Sequence, residues 1–396
     1  MTTRSRRRFL EDSLLAAAAV ASAPATRLCA QAAQSKSGDA EGRAGGEKSS
    51  AIPDFLEIEV SGDAFEQGVM HGEAVREYVL PYHGASLRKK FEQSPKAKGA
   101  IEQAMAYLDK SFPDLVKEMR GIAHGAKVDF WDIVLWNYRR VLAAYPAGCT
   151  NFALRQTQVG PVLCGTVDGG PFQHMAWPLF IQRFKPRKGY RVLASVLPGT
   201  IWVEKAINEH GLACGNSGIP TTDVQPRGPP FHTTYRQALL NCRNVEEAAR
   251  FFGGISQMCF GGIFVFVDAT GNALSIEKSP TRQVVLRTTE NWVGSANVFT
   301  TPSLREVMTK TPKQIKERQG RRETMARFAA KVGTSASMDD LLAFNRSHGP
   351  PAAICRHGGK DSAHTRESYV LLCRERRMLA STRGYPCETE MRSFSL

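Results

Sequence analysis

The spacing of apolar residues divides the chain into a helical first part and a second part in which strands predominate. Between residues 62 and 144 apolar side chains recur at helical spacing, and Pro113 fits the first turn of one helix. From position 149 the period becomes the alternation of strands, which predicts a hairpin of Cys149–Arg155 and Pro161–Val167 around a turn near Gly160. The pattern therefore predicts helices and sheets in one α+β chain.

The remaining elements follow from the same periods. The predicted helices are Gly62–Val79, two within Ile101–Ala126, Asp129–Ala144, Thr234–Cys242, Val245–Phe252, Lys313–Lys331 and Met338–Asn345. The further predicted strands are Pro53–Val60, Tyr190–Leu197, Thr200–Asn208, Leu212–Ser217, Ile263–Asp268, Ala273–Lys278, Gln283–Thr288, Ala352–Cys355, Ser368–Leu372 and Met378–Thr382. Strand pairs that alternate with helix pairs fit two sheets sandwiched between helix layers.

The first residues differ in composition from the rest. The motif Ser5-Arg6-Arg7-Arg8-Phe9-Leu10 precedes the apolar stretch Leu14–Ala23, and Ala30-Gln31-Ala32 has the small-x-small pattern of a signal peptidase site. We therefore predict a twin-arginine export signal over 1–32, which implies the export machinery as a partner and a periplasmic or secreted location. A disordered basic tail, or a membrane anchor that is retained without cleavage, is the alternative interpretation. The apolar stretch is too short to span a bilayer, and no later segment is long and apolar enough, so we expect no stable membrane span after signal removal.

Three further segments follow the signal. Residues 33–52 are rich in Gly, Ser, Ala and charge and are predicted to be a flexible linker. Residues 53–148 form the mostly helical N-terminal segment, and residues 149–396 form the strand-rich segment. We expect these last two to build one fold.

Composition narrows the class of protein. The chain has 396 residues, of which 42% are hydrophobic, which is enough for a large core and excludes disorder for most of it. The net charge is +14, but the basic residues are spread out and no nucleic-acid-binding motif is present, so we expect acidic ligands and no nucleic acid. Nine cysteines without a repeated spacing, in a chain of this length, exclude a small disulfide-stapled fold and leave the pairing open.

The Gly148–Cys149 step at the start of a strand suggests a specific chemistry. If this bond were cut, Cys149 would begin a new chain, and its own α-amino group would lie beside the thiol as a base. Gly148 suits such a cut, because glycine adopts strained conformations and leaves its carbonyl open to attack. Asp168 follows at the end of the paired strand, where a carboxylate could orient the new amine. A buried structural cysteine and a turn aspartate are the alternative interpretation.

Several stretches carry a resemblance to a known family. They are "GDAFEQGVMHGEAVRE", "FPDLVKEMRGIAHGAKVDFWDIVLWNYR", "GCTNF" with "GTVD", "INEHGLACGNSG", "SHGPPAAICRHGG" and "TRGYPCE". In this order, from about residue 58 to the C-terminus, the set resembles the acyl-coenzyme A:6-aminopenicillanic acid acyltransferase family, the cysteine N-terminal-nucleophile hydrolases also classed as C45 peptidases.

The resemblance implies a four-layer αββα sandwich, made as a precursor that cuts itself before the cysteine. It implies that Cys149 is the nucleophile, that Asp168 is the acid near it, and that Asn297 in "GSANVFTT" donates to the oxyanion. It also implies that Arg356 in "ICRHGG" stabilises negative charge at the site. The chain departs from the family pattern at Thr166 and on both sides of Asn297, which indicates a different substrate pocket.

The predicted function is that of a self-processing amidohydrolase acting on a linear amide, with a small-molecule amide or a short peptide as substrate. An acyltransferase and a non-catalytic, uncleaved binding protein remain alternatives. A papain-like enzyme would need His357 or His71 as a partner, and nothing around Cys149 supports it. We predict no cofactor and no metal, because a zinc site drawn from Cys355, His357, His364 and Cys373 lacks the usual spacing. The oligomeric state stays open.

Overall fold

The computed structural model describes residues 53–79, 85–142, 148–170, 178–223, 228–256, 258–358, 363–381 and 383–396. The predicted export signal and linker, residues 1–52, lie outside the described residues. Among the described helices, none combines the length and the apolar character that a bilayer crossing requires.

The strands of the described residues form two sheets. The first has eight strands in the order β1-β4-β5-β6-β7-β8-β9-β10, and the second has six in the order β11-β2-β3-β12-β13-β14. The strands are β1 (Phe55–Gly62), β2 (Gly148–Leu154), β3 (Val162–Gly169), β4 (Leu179–Pro186), β5 (Val192–Val196), β6 (Lys205–Asn208), β7 (Ala213–Ile219), β8 (Gly261–Val267), β9 (Ala273–Lys278), β10 (Gln283–Arg287), β11 (Trp292–Ser295), β12 (His364–Leu372), β13 (Arg377–Ser381) and β14 (Met391–Ser395).

The helices lie on the outer faces of these sheets. They are α1 (Ala64–Val79), α2 (Ala85–Gln93), α3 (Pro95–Ser111), α4 (Pro113–Ala126), α5 (Phe130–Asn137), α6 (Arg139–Leu142), α7 (Phe231–Asn241), α8 (Val245–Gly253), α9 (Pro302–Arg305), α10 (Pro312–Val332) and α11 (Met338–Asn345). Pro113 opens α4 as predicted, and Asp129 caps α5 by accepting a hydrogen bond from the backbone N–H of Trp131.

Alternation along β2 shows how the four layers are built. Ala153 packs into the core between the two sheets, whereas its neighbours Phe152 and Leu154 pack into a separate core with Met325 of α10 and Phe344 of α11. A third core lies between the eight-stranded sheet and the helices α1, α3, α4, α5, α7 and α8. The fold is therefore the predicted αββα sandwich, and its inter-sheet core also contains Cys149.

The helical N-terminal part is joined closely to the sheet that follows it. Strand β1 pairs in parallel with β4 over its full length. Helices α1 and α4 cross at glycines: a Cβ on Gly68 would lie 2.2 Å from the carbonyl oxygen of Glu118, and one on Gly125 would lie 2.2 Å from that of Val69. Because only hydrogen fits between the two backbones, these glycines set the close approach of the helices.

Some predicted elements differ from the observed ones. The sequence patterns did not predict β4, β11, β14, α2 or α9. The predicted strand Thr200–Asn208 begins only at Lys205, because Ile201 N–H donates to Asn137 Oδ1 on a helix. The predicted strand Ala352–Cys355 is irregular: the backbone N–H groups of Ile354 and Cys355 both donate to the Ser347 carbonyl, and no ladder forms.

Candidate active site

The site lies where β2 begins, at the edge of the space between the two sheets. Strands β2 and β3 form the predicted antiparallel hairpin, in which Gly148 stands opposite Asp168 and Cys149 stands opposite Val167. Cys149 is buried in the inter-sheet core. Burial raises the pKa of its thiol, the Lys205 ammonium opposes this shift, and the carboxylates of Glu204 and Asp168 add to it. In the uncut chain the thiol is therefore held in its neutral form.

The space around residue 148 is so crowded that only glycine fits there without a shift of its neighbours. A Cβ at this position would lie 2.8 Å from Arg356 Nη1 and 2.8 Å from Asp168 Oδ2. Its backbone is part of the β2 ladder, in which Gly148 stands opposite Asp168. The glycine before the cysteine allows a carboxylate and a guanidinium to contact the backbone of the Gly148–Cys149 step directly.

Asp168 is the centre of a buried ionic network. Its Oδ2 accepts from Arg356 Nη1 at 3.1 Å and from Arg321 Nη1 at 3.4 Å, and its Oδ1 accepts from Thr365 Oγ1 at 2.9 Å. Arg356 in turn contacts Glu317 Oε1 through Nη2 at 3.1 Å. Two guanidinium groups thus compensate a carboxylate that is almost completely withdrawn from water, as a buried charge requires.

Asn297 contacts the residue after the predicted cut. Its Oδ1 accepts a hydrogen bond of 2.6 Å from the backbone N–H of Cys149, and its Nδ2 donates to the Gly218 carbonyl at 3.1 Å. The residue is fully buried and has a φ of 56°. Asparagine is one of the few non-glycine residues that adopt a left-handed backbone, and this conformation directs its amide toward Cys149 and Gly218.

The geometry changes the interpretation of Asn297. Both ends of its amide are engaged, Oδ1 with the Cys149 nitrogen and Nδ2 with a carbonyl of strand β7. An oxyanion donor needs an N–H aimed at the developing charge, and Nδ2 carries two N–H bonds, of which the contact with Gly218 uses one. The four predicted residues Cys149, Asp168, Asn297 and Arg356 therefore lie together, and Asn297 contacts the backbone nitrogen of Cys149.

Sequence reasoning missed Arg321, which connects these residues. This fully buried side chain of α10 donates through Nη1 to the Cys149 carbonyl at 3.3 Å and to Thr150 Oγ1 at 3.3 Å. Its Nη2 lies 3.3 Å from Asn297 Oδ1. Burial lowers the pKa of Arg321 to about 10, against the attraction of Asp168, so the group remains a cation at neutral pH.

A second missed group lies on the inter-sheet side of Cys149. Lys205 is fully buried in β6, and its Nζ donates to Asn151 Oδ1 at 3.0 Å and to the Asn216 carbonyl at 3.3 Å. Asn151 Oδ1 also accepts from the Tyr369 hydroxyl at 2.7 Å. The sequence signal that could have identified this residue is a lysine within a strand whose other residues are apolar or buried. The arrangement places a positive charge near the thiol, which favours the thiolate.

The histidines proposed for a papain-like mechanism have other partners. His71 accepts from the Gly199 backbone N–H through Nε2 at 2.9 Å, and its Nδ1 lies 2.7 Å from Gln182 Oε1. Burial lowers its pKa to about 4, so the ring is neutral at pH 7. His357 Nε2 lies beside the sulfurs of Cys355 and Cys387. Neither geometry supplies a base for Cys149.

A comparison with known protein families identifies the family of this chain. The family model described as acyl-coenzyme A:6-aminopenicillanic acid acyl-transferase matches residues 179–379, just over half of the chain. The chain belongs to this family. The matched residues include Asn297 and Arg356 and begin after Cys149 and Asp168.

Individual proteins that resemble this chain share little sequence identity with it. The chain is 23% identical over 246 residues to the beta-alanyl-dopamine/carcinine hydrolase of Drosophila melanogaster, which covers 54% of this chain and 62% of that protein. The chain thus aligns with less than two thirds of this relative. Among solved structures it is similar to a Caenorhabditis elegans N-acylethanolamine-hydrolyzing acid amidase ortholog, with 10% identity, a TM-score of 0.41, and coverage of 57% of this chain and 93% of that one. A conjugated bile acid hydrolase variant from Clostridium perfringens matches with 12% identity, a TM-score of 0.36, and coverage of 63% and 97%.

Proposed function

We propose that this chain is a self-processing cysteine N-terminal-nucleophile amidohydrolase that cleaves a linear amide or N-acyl bond through a thioester on Cys149. The observation that carries the proposal is the 2.6 Å hydrogen bond from the backbone N–H of Cys149 to Asn297 Oδ1. The atom that would become the new α-amine already has an acceptor in a buried, charged site. An amine with an ordinary pKa of about 7.7–8.0 suits a general base near neutral pH.

Self-cleavage would begin with attack of Cys149 Sγ on the carbonyl carbon of Gly148. The C–N bond breaks, a thioester forms, and the proton of the thiol ends on the departing nitrogen, which becomes the α-amine. Water then hydrolyses the thioester, so that Gly148 ends in a carboxylate and the thiol is free again. The close packing of Gly148 against Arg356 and Asp168 supports this step, because it fixes the scissile unit relative to its neighbours.

Turnover would repeat this chemistry on a substrate amide. The α-amine takes the proton of the thiol, the sulfur attacks the substrate carbonyl, and the same proton passes to the leaving amine. Water attacks the resulting thioester and releases the acid. Asn297 would hold the α-amine through Oδ1, in addition to the oxyanion role predicted from the sequence. Arg356 and Arg321, neutralised in part by Asp168, would stabilise the thiolate and the anionic intermediate.

Hydrolysis is the favoured outcome over acyl transfer. We propose that residues 1–32 act as a twin-arginine signal and send the protein to the periplasm or outside the cell. Acyl-coenzyme A is a cytoplasmic donor, so an exported enzyme would transfer the acyl group to water. We propose a small-molecule amide or a short peptide as the substrate. The hydrolases named among its relatives act on β-alanyl and N-acyl amides, which supports this class.

Self-cleavage is tested by denaturing gels and N-terminal sequencing of the purified chain. We expect a fragment that begins Cys-Thr-Asn-Phe, and a single uncut chain for Cys149→Ala, because the attacking sulfur is gone. Cys164→Ala is the matched control, since this cysteine is buried in the neighbouring strand β3, and it should still be cut. A wild-type chain that hydrolyses amides while remaining whole would overturn the proposal.

The substrate class is tested on the cut protein. The panel consists of β-alanyl-dopamine, carcinine, an N-acylethanolamine, a conjugated bile acid and short N-acyl peptides, each with and without an added acceptor amine. We expect release of the free acid from at least one linear amide, and none from Cys149→Ala. Formation of a new amide in preference to the acid would assign the enzyme as an acyltransferase.

A further inference from the structure

Four side chains of the types that bind metals meet beside Arg356. His348 comes from the segment after α11, Cys355 and His357 flank Arg356, and Cys387 lies in the loop between β13 and β14. Their ligand atoms all lie within 4.8 Å of one another. The sequence analysis considered Cys355 and His357 with two other residues, His364 and Cys373. The chain fold instead supplies His348 and Cys387, which no spacing rule connects.

The distances from His357 Nε2 to the other three ligand atoms lie close to those of a tetrahedral zinc site. Bond lengths of about 2.3 Å to sulfur and about 2.0–2.1 Å to nitrogen imply that neighbouring ligand atoms lie roughly 3.3–3.8 Å apart. His348 Nε2 and His357 Nε2 are 3.2 Å apart, Cys355 Sγ and His357 Nε2 are 3.6 Å apart, and His357 Nε2 and Cys387 Sγ are 3.1 Å apart. Two sulfurs and two imidazole nitrogens at such distances are a donor set that zinc prefers.

The residues around the cluster hold its histidines in place. The ring of His357 stacks on Tyr385 with 3.8 Å between centroids, and its Nδ1 faces the Glu388 carboxylate at 3.9 Å. With Nδ1 toward a carboxylate, Nε2 is free to bind a metal, as in many zinc sites. His364 Nδ1 lies 2.5 Å from the Tyr385 hydroxyl, and this hydrogen bond helps to orient the Tyr385 ring that stacks on His357.

We propose that His348, Cys355, His357 and Cys387 bind one Zn²⁺ ion. All four tetrahedral positions would be filled by protein atoms, which makes the ion structural and leaves no position for a substrate or a reactive water. The ion would join the segment that carries Arg356 to the C-terminal loop. Arg356 lies between two ligands and contacts Asp168 at 3.1 Å, so the ion would act on the active site by positioning this guanidinium. The proposal does not depend on self-cleavage, and it departs from the expectation of a metal-free protein.

A disulfide between Cys355 and Cys387 is the competing use of the same sulfurs. All eight cysteines of the described residues are free thiols in the structure. Both sulfurs are needed as thiolates for the metal, so the disulfide and the ion exclude each other. The distinction is measurable, because a disulfide leaves a cross-linked peptide and zinc leaves two free thiols after denaturation.

The test measures the metal content of the full-length chain, purified without reductant and without chelator, by inductively coupled plasma mass spectrometry. We expect about one zinc per chain in the wild type, and little in Cys387→Ser and His348→Ala, since each removes one of four ligands. Cys242→Ser, which replaces a buried thiol at the end of α7, should retain the wild-type zinc content. Circular dichroism confirms that each variant is folded.

Cobalt provides a readout that does not depend on any variant. When Co²⁺ is added to the metal-free wild type, we expect the intense visible absorption of tetrahedral Co²⁺ with thiolate ligands, and its loss on addition of Zn²⁺. A wild-type chain without zinc and without this cobalt spectrum would overturn the proposal. Equal zinc content in Cys387→Ser and the wild type, or a Cys355–Cys387 disulfide in the freshly purified protein, would overturn it as well.

Discussion

Asn297 Oδ1 lies 2.6 Å from the backbone nitrogen of Cys149, although the two residues are 148 positions apart in the chain. The contact joins the start of β2 to a residue that follows β11, and the backbone of Asn297 adopts a left-handed conformation at that point. Asn297 Nδ2 also donates to the Gly218 carbonyl at 3.1 Å, so the side chain is held between strand β7 and the start of β2. The contact is understandable if this nitrogen later becomes a catalytic amine.

Asn297→Gly should slow self-cleavage and amide hydrolysis by about 10- to 100-fold, the effect of losing one buried hydrogen bond to the reacting group. Glycine accepts the φ of 56° at this position, so the change removes the side chain without adding backbone strain. Lys127→Gly is the control, because Lys127 has a φ of 58° at the exposed end of α4 and contacts no part of the site. Rates are measured on gels and with the best amide of the panel. Equal rates for the wild type and Asn297→Gly would remove Asn297 from the mechanism.

Gly148→Ala should prevent self-cleavage in a chain that still folds. The added methyl group would lie 2.8 Å from both Arg356 Nη1 and Asp168 Oδ2, so the ion pair or the scissile backbone must move. Gly99→Ala is the matched control, since nothing lies within 4 Å of a Cβ there and alanine favours the helix. The uncut fraction of each variant is measured on denaturing gels after prolonged incubation. Normal cutting of Gly148→Ala would show that this packing has no role in the reaction.

Arg321→Lys should lower turnover strongly while keeping the charge. The guanidinium of Arg321 reaches the Cys149 carbonyl, Thr150 Oγ1 and Asp168 Oδ2 together, and a single ammonium cannot reproduce this fork. Arg327→Lys on the exposed face of the same helix serves as the control, because its partner is the surface residue Glu323. The expected pattern is a loss in kcat with a smaller change in KM. If Arg321→Lys behaves like Arg327→Lys, the role of Arg321 is only to supply a positive charge.

His71 should make the stability of the uncut chain depend on pH. Its pKa is 6.5 in its ordinary state and about 4 in the folded chain, so the unfolded state binds the proton more readily between these values. The stabilisation that comes from keeping His71 neutral is fully present above pH 6.5 and is lost as the pH falls toward 4. The loss lowers the free energy of unfolding by roughly 3 kcal/mol. Urea unfolding of Cys149→Ala at several pH values measures it, and adding His71→Gln should flatten the slope. His124→Gln, on the exposed face of α4, controls for the loss of a histidine.

Export should depend on the arginine pair in the predicted signal. Replacement of Arg6 and Arg7 by lysine should keep the protein in the cytoplasm, because the twin-arginine pathway reads this pair. Arg4→Lys with Arg27→Lys makes the same chemical change twice outside the pair and should leave export intact. The measurement is the distribution of the protein between cytoplasmic and periplasmic fractions. Unchanged export of the first double variant would refute the assignment.

The elements that could be predicted are those whose signals lie in residues close together in the sequence. The β2–β3 hairpin, the helix that begins at Pro113 and the strand Ala273–Lys278 all follow from spacing and turn residues, and the structure contains them. Strand β4 was not predicted because Gln182, Arg183 and Lys185 interrupt its apolar run. Its pairing with β1 also joins segments that are distant in the sequence. Pairing between distant segments leaves no signal within the short stretch of sequence over which apolar periodicity is measured.

The site divides in the same way. Cys149 and Asp168 are predictable because they occupy the two ends of one hairpin. Arg321 was missed because α10 is rich in charged residues, and a charged residue on such a helix usually faces water. Only the packing of α10 over β2 shows that this one side chain is fully buried. The contact of Asn297 with a backbone nitrogen was equally out of reach, since residue type alone does not show which end of an amide faces which partner.

The parallel pairing of β1 with β4 makes the proposed cut a change of quaternary structure. Strand β1 lies before Gly148 and its partner lies after it, and the buried ion pair of Glu118 with Arg236 also bridges the two sides. A cut chain would therefore be a heterodimer whose two subunits share one sheet and one core, born at equal stoichiometry from a single precursor. Its subunits would separate only when the whole molecule unfolds, and reassembly from the isolated fragments would have to rebuild a sheet that originally formed within one continuous chain.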